Sequence, residues 1–288
     1  MDQVRGRYIG DALKQFQAEY GDTFQIYLGL LHLICVCNPE DVQHVFTHRH
    51  IYEQGDLHIN QHRVVFNDAL ICNIGPKYKR HASIILPLFR RGKILNNYDL
   101  IIDCTDKLLD QWRSTTDNDP KHFHLNIVDQ CQNLSLAIFG FIGFDYDFQT
   151  LKESNINKTN NLTQALNQVQ KTEVAKPEQE KKGLYHEEVI NELLLFIVAR
   201  SETTGATASW FIYFMSKYRR VQALITAELR SNKYHAMGVE QIESLTYLDR
   251  IIQEILRFLR PVISTTRTLT VDDQLPGSGV QLHKDDEI

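Results

Sequence analysis

Apolar residues recur at helical spacing through one long stretch, residues 186–218, which reads HEEVINELLLFIVARSETTGATASWFIYFMSKY. No proline interrupts this stretch, and Gly205 is its only glycine. At about 1.5 Å per residue, a helix of this length spans roughly 50 Å. Glutamates near its start and Lys217 near its end match the polarity of the helix dipole. The pattern predicts one long helix, buried at the centre of the fold.

The middle of this helix, residues 200–204, reads Arg-Ser-Glu-Thr-Thr and interrupts the apolar pattern. Buried polar side chains are costly unless they are hydrogen-bonded or line a cavity. Serine and threonine within a helix can also bond to the carbonyls of the preceding turn and bend the helix. This stretch alone leaves two interpretations open. It is either the wall of a site, or a polar break that is satisfied internally or partly exposed.

A hairpin and a capped helix are predicted near the start of the chain. Segments 23–29 and 32–38 are rich in aromatic and branched residues, so they predict antiparallel strands around a Leu30-Leu31 turn. Asn38 and Pro39 then provide the cap and first position of a helix. Amphipathic patterns predict further helices over residues 2–20, 77–91, 97–114 and 125–142, and residues 52–76 are predicted to be irregular. Pro87 is expected to kink or tighten the end of helix 77–91.

The rest of the chain is predicted to be helical and then β-structured. Helices are predicted over residues 219–231, 239–244 and 245–259. After Pro261 the pattern changes to short β-segments around a turn at residues 275–279. Residues 152–182 are polar and nearly free of large apolar side chains, which predicts a linker. The predicted fold class is therefore mainly α, with a small β-portion near each end.

Composition limits the function classes. The chain has 288 residues, a net charge of −5 and a pI near 6.2, so no basic surface for nucleic acid is expected. Its five cysteines are an odd number, which argues against a disulfide framework, and Cys35 and Cys37 lack the spacing of a zinc site, so they are expected to be core residues. No apolar run reaches the ~20 residues of a membrane span. The chain is therefore expected to be soluble as given.

A second motif lies in the predicted helix 245–259. Glu254 and Arg257 are three residues apart, so they share a helix face and can pair. Exposed pairs of this kind contribute little to stability. Apolar residues surround the motif in the sequence, which predicts a buried pair completed by further hydrogen bonds. Such a pair would fix the local fold specifically.

These motifs together resemble the cytochrome P450 superfamily, the haem-thiolate monooxygenases. Residues 199–204 are similar to the family pattern Ala-Gly-x-acid-Thr-Thr in a long helix. About fifty residues later the order Glu254-x-x-Arg257, Pro261 and Arg267 matches the family as well. Residues 75–89, which read GPKYKRHASIILPLF, resemble the helix that crosses one haem edge. The resemblance runs along the whole chain with a gap around 152–182, and implies a single, incomplete cytochrome P450-like domain over residues 1–288. The linker would replace much of the substrate-roof helices.

The resemblance implies a role for each matched residue. Glu202 and Thr203 would flank the oxygen site and help to deliver protons there. Arg267 would pair with a haem propionate, and Tyr78 would offer a hydrogen bond to a propionate at the position where the family usually has tryptophan. Glu254 and Arg257 would be a structural core pair.

Three departures from the family pattern qualify those roles. Arg200 stands in place of a glycine that lets the helix approach the haem. Ala82 stands in place of an arginine that contacts a propionate, so one anchor is lost. The chain also stops before the glycine-rich loop that carries the family's thiolate ligand. None of Cys35, Cys37, Cys72, Cys104 and Cys131 can be assigned as that ligand, so the axial cysteine is expected to be absent from this chain.

Two functions follow from these observations. By resemblance the protein is an oxidoreductase that inserts one oxygen atom from O2 into an apolar organic substrate. It would use haem as cofactor and electrons from an NADPH-dependent reductase or another donor. Full-length relatives are expected at the cytoplasmic face of the endoplasmic reticulum membrane, whereas this chain shows no anchor. The alternative is a non-catalytic, haem-free helical fragment that acts at most as a binding or interaction module.

Overall fold

The structure is a computed structural model that describes residues 9–89, 95–118, 126–151, 183–231 and 238–288. The chain divides into two compact units. The first combines residues 1–81 with 263–288, and the second comprises residues 82–262. The predicted fold class is confirmed, since the structure is mainly helical with small two-stranded sheets.

The first unit combines short antiparallel sheets with helices. Its strands are β1 (Thr23–Leu28), β2 (Leu31–Val36), β3 (Tyr52–Gln54), β4 (Arg267–Leu269), β5 (Asp273–Gln274) and β6 (Gln281–Leu282), which pair as β1-β2, β3-β4 and β5-β6. Its helices are α1 (Ile9–Tyr20), α2 (Pro39–Thr47), α3 (Asp56–Phe66) and the first part of α4 (Gly75–Ile85). The helix start at residue 38 is confirmed, because the Asn38 side chain accepts hydrogen bonds from the backbone N–H groups of Glu40 and Asp41.

The predicted β1–β2 hairpin is confirmed with a turn shifted by one residue. Leu28 pairs with Leu31, so the turn comprises Gly29 and Leu30 rather than Leu30 and Leu31. Gly29 has a φ of +68°, a left-handed conformation that glycine adopts without a steric penalty.

Residues 52–76 contain regular structure, so the prediction of an irregular segment is wrong. They form β3, α3, a 3₁₀ turn at Leu70–Cys72 and the start of α4. The strand β3 pairs with β4, a partner more than 200 positions away, and no local pattern could reveal that pairing. Its Tyr52 joins the core of the first unit. That core consists of Ile34, Val45, Tyr52, Leu269, Leu275 and Leu282.

The second unit is built from helices. They are the end of α4, followed by α5 (Tyr98–Asn118), α6 (Ile127–Phe144), α7 (His186–Lys217), α8 (Arg219–Ser231), α9 (Val239–Glu243) and α10 (Thr246–Phe258). The long central helix is confirmed as α7, with 32 residues. After α4, a 3₁₀ turn at Leu86–Phe89 contains Pro87, so this proline tightens the helix end as predicted.

Two predictions have no test in this structure. The predicted linker, residues 152–182, lies outside the described residues. The single domain over residues 1–288 stays a prediction. Within the described residues, none of the helices combines the length and apolar character that crossing a bilayer requires.

Candidate functional site

The central helix α7 packs closely against α6 through small side chains. Ser201, Gly205 and Ser209 recur every four residues and are buried. A Cβ atom at Gly205 would lie 2.7 Å from the Cα atom of Gln132 on α6, which is closer than real Cβ contacts allow. The Ser135 hydroxyl of α6 also donates to the carbonyl oxygen of Arg200 at 3.0 Å. These contacts fix α6 against the polar middle of α7.

Two of the three hydroxyl groups in residues 200–204 are satisfied within α7 itself. Ser201 donates to the Ile197 carbonyl oxygen at 2.8 Å, and Thr203 donates to the Ala199 carbonyl oxygen at 2.7 Å. The proton of each hydroxyl is thereby used, while the oxygen keeps lone pairs that can accept a hydrogen bond. The two interpretations of this segment are therefore compatible, because a satisfied polar break still presents acceptors to a neighbouring group.

The charged residues of this segment differ in exposure. The Glu202 side chain is exposed and makes no hydrogen bond or ion pair within the described residues. Thr203 and Arg200 are both half-buried. Glu202 is therefore accessible to solvent, and the next residue, Thr203, occupies a half-buried position of the same helix.

Glu254 and Arg257 pair on the outer face of α10. Arg257 donates from Nε and Nη2 to the two carboxylate oxygens of Glu254, both at 2.7 Å. These bonds hold the pKa of Glu254 below its ordinary value. The expectation of buried, apolar surroundings is not met in the structure, since the two side chains are 59% and 69% exposed. The reason is the phase of the helix, because the apolar row that includes the buried Ile255 lies on another face.

A carboxylate that the sequence analysis did not single out caps the start of α10. Glu228 of α8 accepts from the backbone N–H groups of Tyr247 at 2.8 Å and Leu248 at 2.9 Å. These N–H groups lie in the first turn of α10 and have no partner within that helix. A negative charge there also suits the helix dipole. The contact joins residues about twenty positions apart, so no local pattern indicates it.

Arg267 of β4 is a half-buried cation whose partners are neutral. Its Nη1 donates to the Thr266 carbonyl oxygen at 2.8 Å, to Thr265 Oγ1 at 3.2 Å and more weakly to Gln54 Oε1 at 3.4 Å. Within the described residues its guanidinium forms no ion pair with a carboxylate. Burial lowers the pKa of Arg267, and the nearby charge of Arg49 lowers it further. Buried charges are normally paired, so this site favours an anion.

Tyr78 lies on α4 in the same unit as Arg267, and its side chain is 38% exposed. Its phenol raises the pKa of Arg267, against the larger lowering by burial and by Arg49. Ala82, one helical turn later, has no side-chain donor. The structure thus places Tyr78 and Arg267 in the first unit, while Glu202, Thr203, Glu254 and Arg257 belong to the second.

Three of the five cysteines lie in environments that disfavour thiolates. Burial raises the pKa of Cys35 to about 11, and it also raises the pKa of Cys104 and Cys131. Cys72 is buried as well, whereas Cys37 is exposed. Among the residues that the structure describes, no group of three or more histidine, cysteine or acidic side chains could hold a metal ion.

Comparisons with known proteins agree on one family. The cytochrome P450 family model matches residues 2–178 and 173–288. The chain is 23% identical over 345 residues to cytochrome P450 monooxygenase claP from Ampulloclitocybe clavipes, covering 94% of this chain and 64% of that protein. It is 21% identical over 338 residues to cytochrome P450 monooxygenase 205 from Postia placenta, covering 90% of this chain and 62% of that protein. The chain thus spans slightly under two thirds of the length of these relatives.

A solved structure supports the fold. The crystal structure of a cytochrome P450, CYP102L1, superimposes with a TM-score of 0.76 at 16% sequence identity. The match covers 97% of this chain and 76% of that one. At this identity the likeness concerns the fold alone.

Proposed function

The chain belongs to the cytochrome P450 family, and on this basis we propose that its function is that of a haem-dependent monooxygenase. Such an enzyme inserts one oxygen atom from O2 into an apolar organic substrate. The observation that carries the proposal is the family match along nearly the whole chain. Relatives at 21–23% identity are named as monooxygenases. The comparisons do not favour the haem-free alternative.

The residues around Arg267 fit the carboxylates of a haem. A half-buried guanidinium with neutral partners is a site for an anion, and arginine recognises carboxylates through paired N–H groups. Tyr78 adds a hydroxyl donor in the same unit. We therefore assign Arg267 and Tyr78 to haem binding. When bound, the haem supplies the oxygen chemistry, and the protein supplies binding, orientation and protons.

Glu202 and Thr203 are the proposed proton-delivery pair. The exposed Glu202 carboxylate can take up a proton from solvent, and the Thr203 oxygen can accept and relay a hydrogen bond. The bond from Thr203 to Ala199 fixes the rotamer of the hydroxyl, so its lone pairs keep one direction. A positioned acid and hydroxyl move protons more selectively than bulk water does. Glu254 and Arg257 remain the proposed structural pair.

None of the five cysteines is proposed as the axial thiolate. A thiolate ligand needs surroundings that lower the thiol pKa, and burial raises it for Cys35, Cys104 and Cys131. All five cysteines also precede α7 in the chain. Cys35 and Cys37 lie on or directly after β2 in the first unit.

The electron donor and the location are further parts of the proposal. Monooxygenation consumes two electrons from outside the substrate, so a reductase that uses NADPH, or another electron donor, is the proposed partner. The proposed location of the full-length protein is the cytoplasmic face of the endoplasmic reticulum membrane. Both rest on the family relationship.

Haem uptake tests the proposal directly. Titrating residues 1–288 with haemin should give a saturable Soret change at one haem per chain, and Arg267→Ala should weaken binding. After reduction and addition of carbon monoxide, the Soret band should lack the long-wavelength position of thiolate ligation, because no cysteine of this chain is assigned as ligand. Absence of haem uptake would contradict the proposed function. A thiolate-type band would contradict the assignment of the cysteines.

A further inference from the structure

Phe46, at the end of α2, contacts two arginines with different parts of the residue. The Cζ atom of Arg267 lies 5.3 Å from the centre of the Phe46 ring, within the range of a cation–π contact. The Phe46 carbonyl oxygen accepts a hydrogen bond from Nε of Arg49 at 3.2 Å. Phe46 thereby holds the half-buried guanidinium of Arg267 through its ring and orients the exposed guanidinium of Arg49 through its carbonyl group.

The charge around these arginines is unbalanced. Arg49 and Arg267 repel each other, and within the described part of the chain neither forms an ion pair with a carboxylate. The buried Glu287 of the same unit is committed elsewhere, since its oxygens accept from the backbone N–H of Leu57 at 3.1 Å and from the Thr268 hydroxyl at 2.9 Å. Two neighbouring cations without an acid between them are stabilised when an anion binds both.

We propose that Arg49 and Phe46 complete the carboxylate-binding site around Arg267, with Arg49 as a second cation for the porphyrin carboxylates and Phe46 as the residue that positions both arginines. This inference rests on the proposed function and extends it to two residues outside the motifs. In this proposal Arg49 supplies a positive charge in place of the one that is lost at Ala82, where the family has an arginine. Arg49 brings a positive charge to the same unit as Tyr78 and Arg267.

Binding measurements with two porphyrins separate charge recognition from apolar binding. Haemin has two free carboxylates, whereas haemin dimethyl ester presents the same ring without those charges. Arg49→Gln should weaken haemin binding roughly fivefold, as expected for one charge-assisted contact at a partly exposed site. Its affinity for the dimethyl ester should stay unchanged. Added salt should reduce the haemin affinity of the unsubstituted chain more than that of Arg49→Gln.

Phe46 is tested by the same pair of ligands. Phe46→Leu retains the backbone carbonyl and most of the apolar volume but removes the aromatic face. It should lower haemin affinity roughly two- to threefold without affecting the ester, and Phe46→Tyr should restore binding. Arg220→Gln is the matched control, because Arg220 is an exposed arginine on α8 and its replacement changes the net charge equally. That control should bind both porphyrins as the unsubstituted chain does.

The outcomes distinguish this inference from the proposed function. Suppose that haemin binds while Arg49→Gln weakens the binding of haemin and of its ester equally, or weakens the binding of neither. Either result overturns the proposed role of Arg49 and leaves haem binding intact. An equal effect of Arg220→Gln would overturn it too, since the effect would then reflect net charge. If neither porphyrin binds to the unsubstituted chain, the inference fails together with the proposed function. Circular dichroism verifies that each variant is folded.

Discussion

Gly205 of α7 lies directly against Gln132 of α6, with room for a hydrogen and no room for a methyl group. An added Cβ would meet the backbone N, Cα and side-chain Cγ of Gln132 at 2.7–2.8 Å. Backbone atoms cannot move aside cheaply, so a substitution at Gly205 must separate the two helices. The helix crossing is therefore fixed at a point that directly follows the polar segment of α7.

Gly205→Ala should accordingly destabilise the protein. In an exposed helix this change stabilises by about 1 kcal/mol, whereas here overpacking should cost roughly 1–3 kcal/mol net. Urea unfolding measures the free energy of unfolding. Gly143→Ala on α6 is the matched control, because the nearest atoms to its added Cβ belong to the Phe139 ring, at 3.4–3.7 Å, an ordinary van der Waals distance. A Gly205→Ala variant at least as stable as the control would show that α6 and α7 do not pack this closely.

Glu228→Gln should loosen the start of α10. The carboxylate accepts two backbone N–H groups, and an amide offers only one oxygen for them. The expected loss is about 1 kcal/mol of unfolding free energy, the usual contribution of a helix cap. Thermal unfolding with Glu240→Gln as control measures it, since Glu240 is exposed on the short helix α9. Equal melting temperatures for the two variants would contradict the capping role.

The half-buried His58 should make the free energy of unfolding depend on pH. Burial lowers its pKa to about 4, with further lowering from His62 and Arg267 and an opposing effect of Glu287. The unfolded chain binds a proton at this position below about pH 6.5, whereas the folded chain stays neutral until about pH 4. Stability should therefore fall as the pH decreases through this window. His58→Gln should flatten the fall in unfolding free energy between pH 6.5 and 4.

The same histidine reports on anion binding. A bound carboxylate near Arg267 would offset the positive charge that lowers the pKa of His58, so that pKa should rise on haemin binding and not on ester binding. NMR titration of the His58 ring protons, with zinc protoporphyrin replacing haemin, measures the change.

His50→Gln, at an exposed histidine of the same unit, is the control for the stability measurement. An unchanged pH profile in His58→Gln would show that the half-buried His58 is not held neutral in the folded protein.

Asp273 joins two side chains from distant parts of the chain. The Tyr52 hydroxyl donates to its Oδ2 at 2.7 Å, and His44 Nε2 lies 2.8 Å from the same oxygen. Burial raises the pKa of Asp273, but the bonds from His44 and Tyr52 outweigh burial and hold it below its ordinary value. The contribution of Asp273 to stability is therefore present at neutral pH and is lost as the pH falls through the folded-state pKa.

Tyr52→Phe should remove part of that contribution. The variant keeps the buried ring and loses one hydrogen bond to a carboxylate, which should cost roughly 1.5–3 kcal/mol. Its deficit relative to the unsubstituted protein should shrink at low pH, where Asp273 is protonated in both. Tyr27→Phe is the control, because Tyr27 is 65% exposed. A pH-independent deficit would show that the tyrosine contributes through packing alone.

The helical part of the fold could be predicted because its information is local. The periodic apolar pattern of residues 186–218 gave α7, and Asn38 with Pro39 gave the start of α2. The pairing of β3 with β4 could not be predicted, since three-residue strands carry almost no pattern and their partner lies over 200 positions away. Polar α3 was missed for a similar reason, because few of its side chains are buried.

The residues of the candidate site also divide into those that a local sequence pattern indicates and those that no local pattern indicates. Glu202, Thr203 and Arg267 stand in recognisable sequence contexts, but Arg49 and Phe46 do not. Their proximity to Arg267 arises from the long-range pairing that brings β4 beside β3. The exposure of Glu254 and Arg257 was also missed, because apolar neighbours in the sequence say little about which helix face a residue occupies.

The exposed Glu254–Arg257 pair leads to a quantitative test of its structural role. A double-mutant cycle with Glu254→Gln, Arg257→Gln and both together isolates the coupling energy between the two side chains. At 59% and 69% exposure the coupling should be as small as that of other solvent-exposed ion pairs, and it should decrease further in high salt. Arg113 and Asp110, another exposed pair at the same spacing, provide the control cycle and should give a similar value. A coupling for Glu254 and Arg257 that clearly exceeds the control value and persists in high salt would mean that the pair is desolvated in the folded protein, as a core-locking role requires.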